Sequence, residues 1–207
     1  MNSIFRLLDR QTKIDASDEK GQKPSVLLGD IAFENIEFAY PTRPNVTILS
    51  KFNLKVKRGQ TVAFVGTSGS GKSTLVLLLE RFYDPLNGSV KIDDNDVRDL
   101  NVQWLRSQIG IVSQEPALFK GTVMENIRSG RMEATDEEVI EASKKANAHD
   151  FIMRFADGYN TDLQVASGIS GGQKQRVAIA RALIRNPKIL LLGKDHHKPQ
   201  LFIKVEN

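Results

Sequence analysis

The sequence predicts an α/β fold organised around a phosphate-binding loop. Two adjoining features predict it: the apolar run Thr61–Val65, read as a strand, and the stretch Gly66–Thr74, GTSGSGKST, which leads into the apolar helix Leu75–Leu79. The spacing is G-x-x-x-x-G-K-[ST] in the strand–loop–helix setting that gives the pattern its meaning. Glycines at 66, 69 and 71 let the backbone reach positive φ and bring its amides close to phosphate oxygens. The helix N-terminus adds a favourable partial charge, Lys72 a point charge for the terminal phosphates, and Ser73 a hydroxyl for Mg²⁺. Gly66, Thr67, Ser68, Gly69, Ser70, Gly71, Lys72, Ser73 and Thr74 are therefore the candidate residues for binding a nucleoside triphosphate. A plain Gly/Ser turn would account for the glycines but not for the Lys-Ser pair that follows them.

The other elements can be justified in order along the chain. Residues 11–30 are polar and read as a linker. From Ile31 to Tyr40 apolar residues alternate in two phases, which predicts a bulge near Asn35. Phe52, Leu54 and Val56 alternate with Lys51, Asn53, Lys55 and Lys57, a half-buried strand with a solvated basic face. Asn87-Gly88 is expected to turn the chain into a strand at 89–92. Trp104 and Leu105 sit on a short helix, and Ile109 to Val112 is a buried strand. Thr135-Asp136-Glu137-Glu138 is a capping box opening a helix to about Ala146. Helical character resumes from Asp150 to Phe155 and stops at Asp157-Gly158. Ser170 is an N-cap, and Gly171 and Gly172 leave backbone amides uncovered at the start of a helix through Leu183. Asn186-Pro187 ends it.

Composition sets outer bounds. At 207 residues the chain is one domain with room for a small subdomain. The net charge of +4 is interspersed, so no basic stripe points to nucleic acid. The absence of cysteine rules out a disulfide scaffold. No apolar run approaches the ~20 residues needed to cross a bilayer, and Met1–Leu8 lacks the core of a secretion signal.

Together with the loop, Ile169 to Asn186 resembles the signature motif and helix of ATP-binding cassette (ABC) proteins, with Ile169 where that family usually has Leu. Phe38 to Pro44 resembles the family's aromatic loop, in which Tyr40 would stack on adenine; alone, it would read as a solvent-facing tyrosine before a proline turn. Ile111 to Pro116 resembles the glutamine loop, where Gln114 would touch Mg²⁺ and the attacking water. Gly121 to Ile127 is similar to the segment that follows in exporter-type cassettes. The resemblance runs from about Ile31 to Leu192 and is closest to B-type exporters, which include P-glycoprotein-like multidrug transporters. It implies a P-loop NTPase with a RecA-like mixed sheet, an antiparallel β subdomain and an inserted α-helical subdomain at about 115–175. It implies ATP and Mg²⁺ as cofactors, Mg²⁺ being met by Ser73 and Gln114. It also implies a second cassette, on whose nucleotide Ser170, Gly171, Gly172 and Gln173 would close in trans. A transmembrane domain at the cytosolic face of a membrane completes the expectation, with Ile4 to Arg10 resembling the connector from its last helix; residues 1–30 are then connector and linker.

The family pattern breaks after Leu192. There the family carries an Asp that holds Mg²⁺ through water and a Glu that polarises the attacking water, whereas this chain has Gly193 and Lys194. Residues 193–207 show no resemblance and are expected to form a divergent tail, with the final strands and switch His missing and the sheet edge open. His196 and His197 read as solvated tail residues, and Leu201 to Val205 is available to pair with the open edge. Gln164 to Gly168 is one residue shorter than the Gly-Glu-Arg-Gly-like stretch of such exporters. The expectation is ATP binding with poor hydrolysis; apart from Gln114 no catalytic residue is assigned. A regulatory or decoy cassette is the alternative. A GTPase or small-molecule kinase is disfavoured by Tyr40-Pro41, by Ser170 to Gln173 and by the lack of Asn-Lys-x-Asp.

Overall fold

Strand β1 (Ile31–Ala39) buries Ile31, Phe33, Ile36 and Phe38, and their two phases meet at Asn35, whose φ is 50°. The pairing of β1 with β2 (Thr47–Val56) shifts register between Phe33 and Ile36, the bulge that the alternation predicts. The computed structural model describes residues 12–67, 69–113, 116–164, 169–196 and 198–205. The connector-like Ile4 to Arg10, Ser68, Gln114, His197 and the stretch 165–168 lie outside the described residues.

The chain then runs through β3 (Thr61–Val65), α1 (Lys72–Leu79), β4 (Asn87–Ile92), β5 (Asn95–Asp96), α2 (Val102–Ser107) and β6 (Ile109–Val112). A helical block follows: α3 (Val123–Arg128), α4 (Asp136–Lys145), α5 (His149–Ile152), a 3-10 turn at Gly158–Asn160, and α6 (Gly171–Leu183). The chain returns to sheet in β7 (Ile189–His196) and β8 (Lys198–Val205). An antiparallel sheet has the order β2-β1-β4-β5 and a mixed sheet the order β3-β8-β7-β6. The α/β class, the antiparallel subdomain and the inserted helical block are those the sequence predicts.

Asn87-Gly88, expected as a turn, instead forms the first two residues of β4. Gly88 has φ 86°, and a Cβ there would stand 2.3 Å from the carbonyl oxygen of Glu34, so the β1 bulge presses directly on this position and only glycine fits.

The tail also departs from expectation. Rather than a solvated divergent segment beside an open edge, 189–196 and 198–205 form a hairpin, and β8 lies inside the mixed sheet between β3 and β7. Thr61 pairs with Lys204 and Val65 with Gln200, both antiparallel, while β6 and β7 pair parallel from Ile109–Ile189 to Val112–Leu192. Ile203 and Val205 are buried with Ile189 and Leu191. The physical reason is the alternation of Phe202, Lys204 with Ile203, Val205, which gives the segment an apolar face where the sheet needs one.

Two hydrophobic clusters position the site. One joins β1 and β4 to α1 (Leu75, Leu78, Leu79) and to β7 and β8. The other joins α3, α4, α5 and α6 through Val123, Ile127, Val139, Ile152, Val177 and Ala180. Helix α6 bridges sheet and helical block because it has two apolar stripes: Ala178 and Ala182 pack on Val112 and Leu190, while Val177, Ala180 and Ile184 face the helical block. Each fully buried Leu or Ile contributes about 1.5–3 kcal/mol.

Candidate functional site: a phosphate-binding loop and its surroundings

β3 delivers the chain into the loop at Gly66, and α1 begins at Lys72 with Gly71 as its N-cap at φ 85°. Gly69 is likewise left-handed, at φ 83°. At Gly71 a Cβ would stand 3.0 Å from Leu49 Cδ2, so packing against β2 as well as backbone conformation requires glycine. No side chain caps α1 and no acidic residue lies in its first turn. Its leading amides are thus left to whatever anion the loop receives.

Lys72 is folded back over the loop. Its Nζ donates to the carbonyl oxygens of Gly66 at 2.8 Å and Thr67 at 2.7 Å, and to Ser70 Oγ at 2.9 Å. A second loop contact, Ser70 N to Thr67 O at 3.2 Å, tightens the turn. Five of the loop residues predicted from sequence, Gly66, Thr67, Ser70, Gly71 and Lys72, are therefore brought into one cradle.

The next two positions divide the labour. Ser73 is exposed, whereas Thr74 is buried and shares a 2.9 Å hydrogen bond with the hydroxyl of Tyr40. Tyr40 stands edge-to-face with Phe38, centroids 5.0 Å apart, and with Tyr83, 5.4 Å apart. The aromatic residue predicted from sequence is thus fastened to the loop helix. Thr74 and Tyr83 as its fasteners were missed; a tyrosine directly after the Arg81-Phe82 turn that follows the helix cap Glu80 carries no local signal of that role.

The far end of α1 is electrostatically unusual. Its C-cap Glu80 is buried, and burial pushes its carboxyl from 4.5 up to about 7, against an opposing pull from Arg106. Arg106 donates to the backbone oxygens of Glu80 and Arg81 and lies 4.1 Å from the centre of the Phe82 ring. Glu80, Arg106, Ile111, Phe119 and Arg181 line an open groove between sheet and helical block. Ile111, predicted as a buried strand residue, is 44% exposed because it faces this groove.

Across the groove, Asn126 organises the segment 119–122. Buried on α3, it accepts from Phe119 N at 2.7 Å and donates to the carbonyls of Phe119 and Thr122. Sequence reasoning passed over it, although the Thr122–Glu125 capping box just before it is a readable helix start.

Ser170 caps α6 as predicted, and Gln173 completes a reciprocal box: Gln173 N donates to Ser170 Oγ at 3.2 Å, and Ser170 N to Gln173 Oε1 at 2.9 Å. Gly171 and Gly172 have open space where a Cβ would be. Among the described residues no hydrogen bond joins this helix start to the loop at 66–72. The two motifs are separate features of one chain.

Residues 49–193 match the family described as ABC transporter. The chain belongs to the ABC transporter family. It is 53% identical over 193 residues to "ABC transporter B family member 2" of Dictyostelium discoideum, covering 93% of this chain and 14% of that protein. It is 52% identical over 192 residues to "ATP-binding cassette sub-family B member 5" of Homo sapiens, covering 92% and 15%. With "Multidrug resistance protein pgp-1" of Caenorhabditis elegans it shares 53% over 194 residues, 93% of this chain and 15% of that protein. The chain thus corresponds to a small part of each of these ABC proteins. Among the described residues no helix is long and apolar enough to cross a membrane.

The resemblance implies magnesium beside the phosphates, met by Ser73 and Gln114. Ser73 offers one exposed hydroxyl, Gln114 lies outside the described residues, and β7 carries Gly193 and Lys194 where the resemblance expects acids. No group of three or more His, Cys, Asp or Glu that could hold a metal exists among the described residues. Mg²⁺ is ordinarily held by one or two carboxylates plus substrate phosphates.

Proposed function

We propose that this chain is the nucleotide-binding cassette of a B-type ABC exporter, that it binds ATP at Gly66–Thr74, and that it hydrolyses ATP poorly. The carrying observation is the Lys72 ammonium held by three oxygens of its own loop at the uncapped start of α1. A triphosphate would exchange these bonds to neutral oxygens for bonds of the same ammonium to anionic phosphate oxygens, in which both partners carry charge. Tyr40, fastened through Thr74, is the adenine-stacking residue in this reading, a contact worth roughly 1–3 kcal/mol. Ser68 and Gln114 complete the proposed nucleotide contacts.

Poor hydrolysis follows from Gly193 and Lys194. With Gly193 and Lys194 in place of the acids that the resemblance expects, turnover is expected to fall about 10²–10⁴-fold relative to a site that has them. The partners are a second cassette, whose nucleotide is closed over by Ser170–Gln173, and a transmembrane domain at the cytosolic face of a membrane. Gly171 and Gly172, exposed and with open space where a Cβ would be, support the first. The half-polar groove at Glu80, Arg106 and Arg181 supports the second, since Arg181 Nη1 is buried there without a hydrogen-bond partner. A second reading, a regulatory cassette that binds ATP and lends its α6 start to a partner, is favoured by the same Gly193 and Lys194.

Calorimetric titration of the purified chain with ATP tests the binding claim. Uptake is expected and should weaken about 10- to 100-fold in Lys72→Ala; no uptake by folded protein would refute it. A steady-state ATPase rate well above background that Lys72→Ala abolishes would refute the poor-hydrolysis claim alone.

A further inference from the structure

We infer that Thr74 and Tyr83 are positioning residues for base recognition. They hold the Tyr40 ring in a fixed place relative to α1, and the site's preference for a nucleotide over a bare triphosphate depends on them. The inference rests on the ATP-binding reading above, in which Tyr40 stacks on adenine.

Tyr40 directly follows β1 and precedes Pro41. A proline keeps the residue before it in extended backbone, which leaves the tyrosine ring only its side-chain torsions to vary. Three elements remove that freedom. Thr74 is buried on α1, two positions after Lys72, and its hydroxyl shares the 2.9 Å hydrogen bond with the Tyr40 hydroxyl. A buried hydroxyl needs such a partner. The buried Phe38 of β1 and Tyr83 complete a closed triangle of rings. Centroids are 5.0 Å apart for Phe38–Tyr40, 5.4 Å for Tyr40–Tyr83 and 5.7 Å for Phe38–Tyr83. Tyr83 is itself fixed by its turn. Phe82 N donates to Leu77 O of α1 at 2.8 Å, and Leu86 N donates to Glu37 O of β1 at 2.8 Å.

Both ring contacts of Tyr40 are near perpendicular, at 81° and 88°. Neither neighbour takes the parallel position that a stacked base would occupy. The bond to Thr74 also refers the ring to the helix whose start carries Lys72 and the uncapped amides. Base and phosphate contacts therefore keep one spacing, and the cost of immobilising an aromatic side chain is met before the nucleotide arrives.

The test is calorimetric titration of the chain with ATP and, separately, with inorganic tripolyphosphate, which lacks base and sugar. The readout is the ratio of the two affinities, in which any change at the phosphates common to both ligands cancels. Tyr40→Phe keeps a ring but loses the bond to Thr74, and Thr74→Val loses the same bond from the other side. Each is expected to lower the ratio about 3- to 10-fold, and the double variant no further, because one bond is removed in all three. Tyr83→Leu should lower the ratio likewise, and Tyr83→Phe should keep it. An unaltered ratio in either Tyr40→Phe or Tyr83→Leu, or losses that multiply in the double variant, would overturn the inference and leave ATP binding standing. A ratio that even Tyr40→Leu leaves unchanged would overturn the stacking contact as well. Failure of ATP to bind folded protein would overturn the ATP-binding reading. If Thr74→Val does not fold, Tyr40→Phe and the two Tyr83 variants decide.

Discussion

Helices α1 and α6 both open on glycines, yet one runs against the electrostatics of a helix and the other with them. Helix α1 carries Lys72 at its positive end and the buried Glu80 at its negative end, and no side chain caps its start. Helix α6 starts on the closed Ser170–Gln173 box and carries Arg181 in its last turn. A cation placed like Lys72 is unfavourable by about 0.3–1 kcal/mol at an exposed site. The difference shows what a phosphate site demands: free amides and a cation at the same spot, stabilised only by loop oxygens until an anion arrives. Helix α6 presents its glycine amides with its own end already satisfied, as suits a surface that meets something outside its own chain.

The largest expected effect is on ligand. Lys72→Ala should weaken ATP binding about 10- to 100-fold, as for loss of a charged hydrogen-bonding group, with little change in thermal midpoint; an equally large loss in Gln173→Ala, measured on the isolated chain, would erase the distinction between the two helices.

Glu80 provides the next. Its folded pKa of about 7 lies above its ordinary 4.5, so the unfolded chain releases this proton first as pH rises. The stability linked to Glu80 is fully present below about 4.5 and is lost progressively as pH approaches 7, by about 3 kcal/mol in total. Glu80→Gln should flatten that part of the profile in urea denaturation measured against pH; an unchanged slope would mean the carboxyl is ionised in the fold.

Backbone substitutions follow. Gly71→Ala, forced to a left-handed φ and against Leu49, should cost about 1–3 kcal/mol in urea denaturation. Ser170→Ala should cost about 1 kcal/mol through loss of its cap. Gly171→Ala, with empty space around it, should be neutral or stabilising by about 0.5 kcal/mol. A cost at Gly171 matching that at Gly71 would show that both starts are equally constrained.

What could be read from the sequence follows from how local each signal is. The loop, the caps at Thr135 and Ser170 and the bulge at Asn35 are written in residues within a few positions of one another, and the structure has all of them. The Tyr40–Thr74 bond joins residues whose types suggest nothing about each other until β1 and α1 are packed. The exposure of Ile111 depends on a groove formed by residues from α1, α2 and α6. The position of β8 was least legible: the alternation in 201–205 suggests a strand, but alternation does not say which neighbour a strand will choose.

That choice bears on how the protein is made. Residues 61–65 leave the ribosome long before residues 200–204, the segment they must zip against, so the base of the loop waits unpaired until those residues follow. Joining pieces so distant in the chain is slow, and a waiting strand with Val62 and Phe64 bared is a place for nascent chains to stick to each other. Yield in the cell should therefore depend on how quickly the later segment emerges, and on chaperones that shield the earlier one until it does.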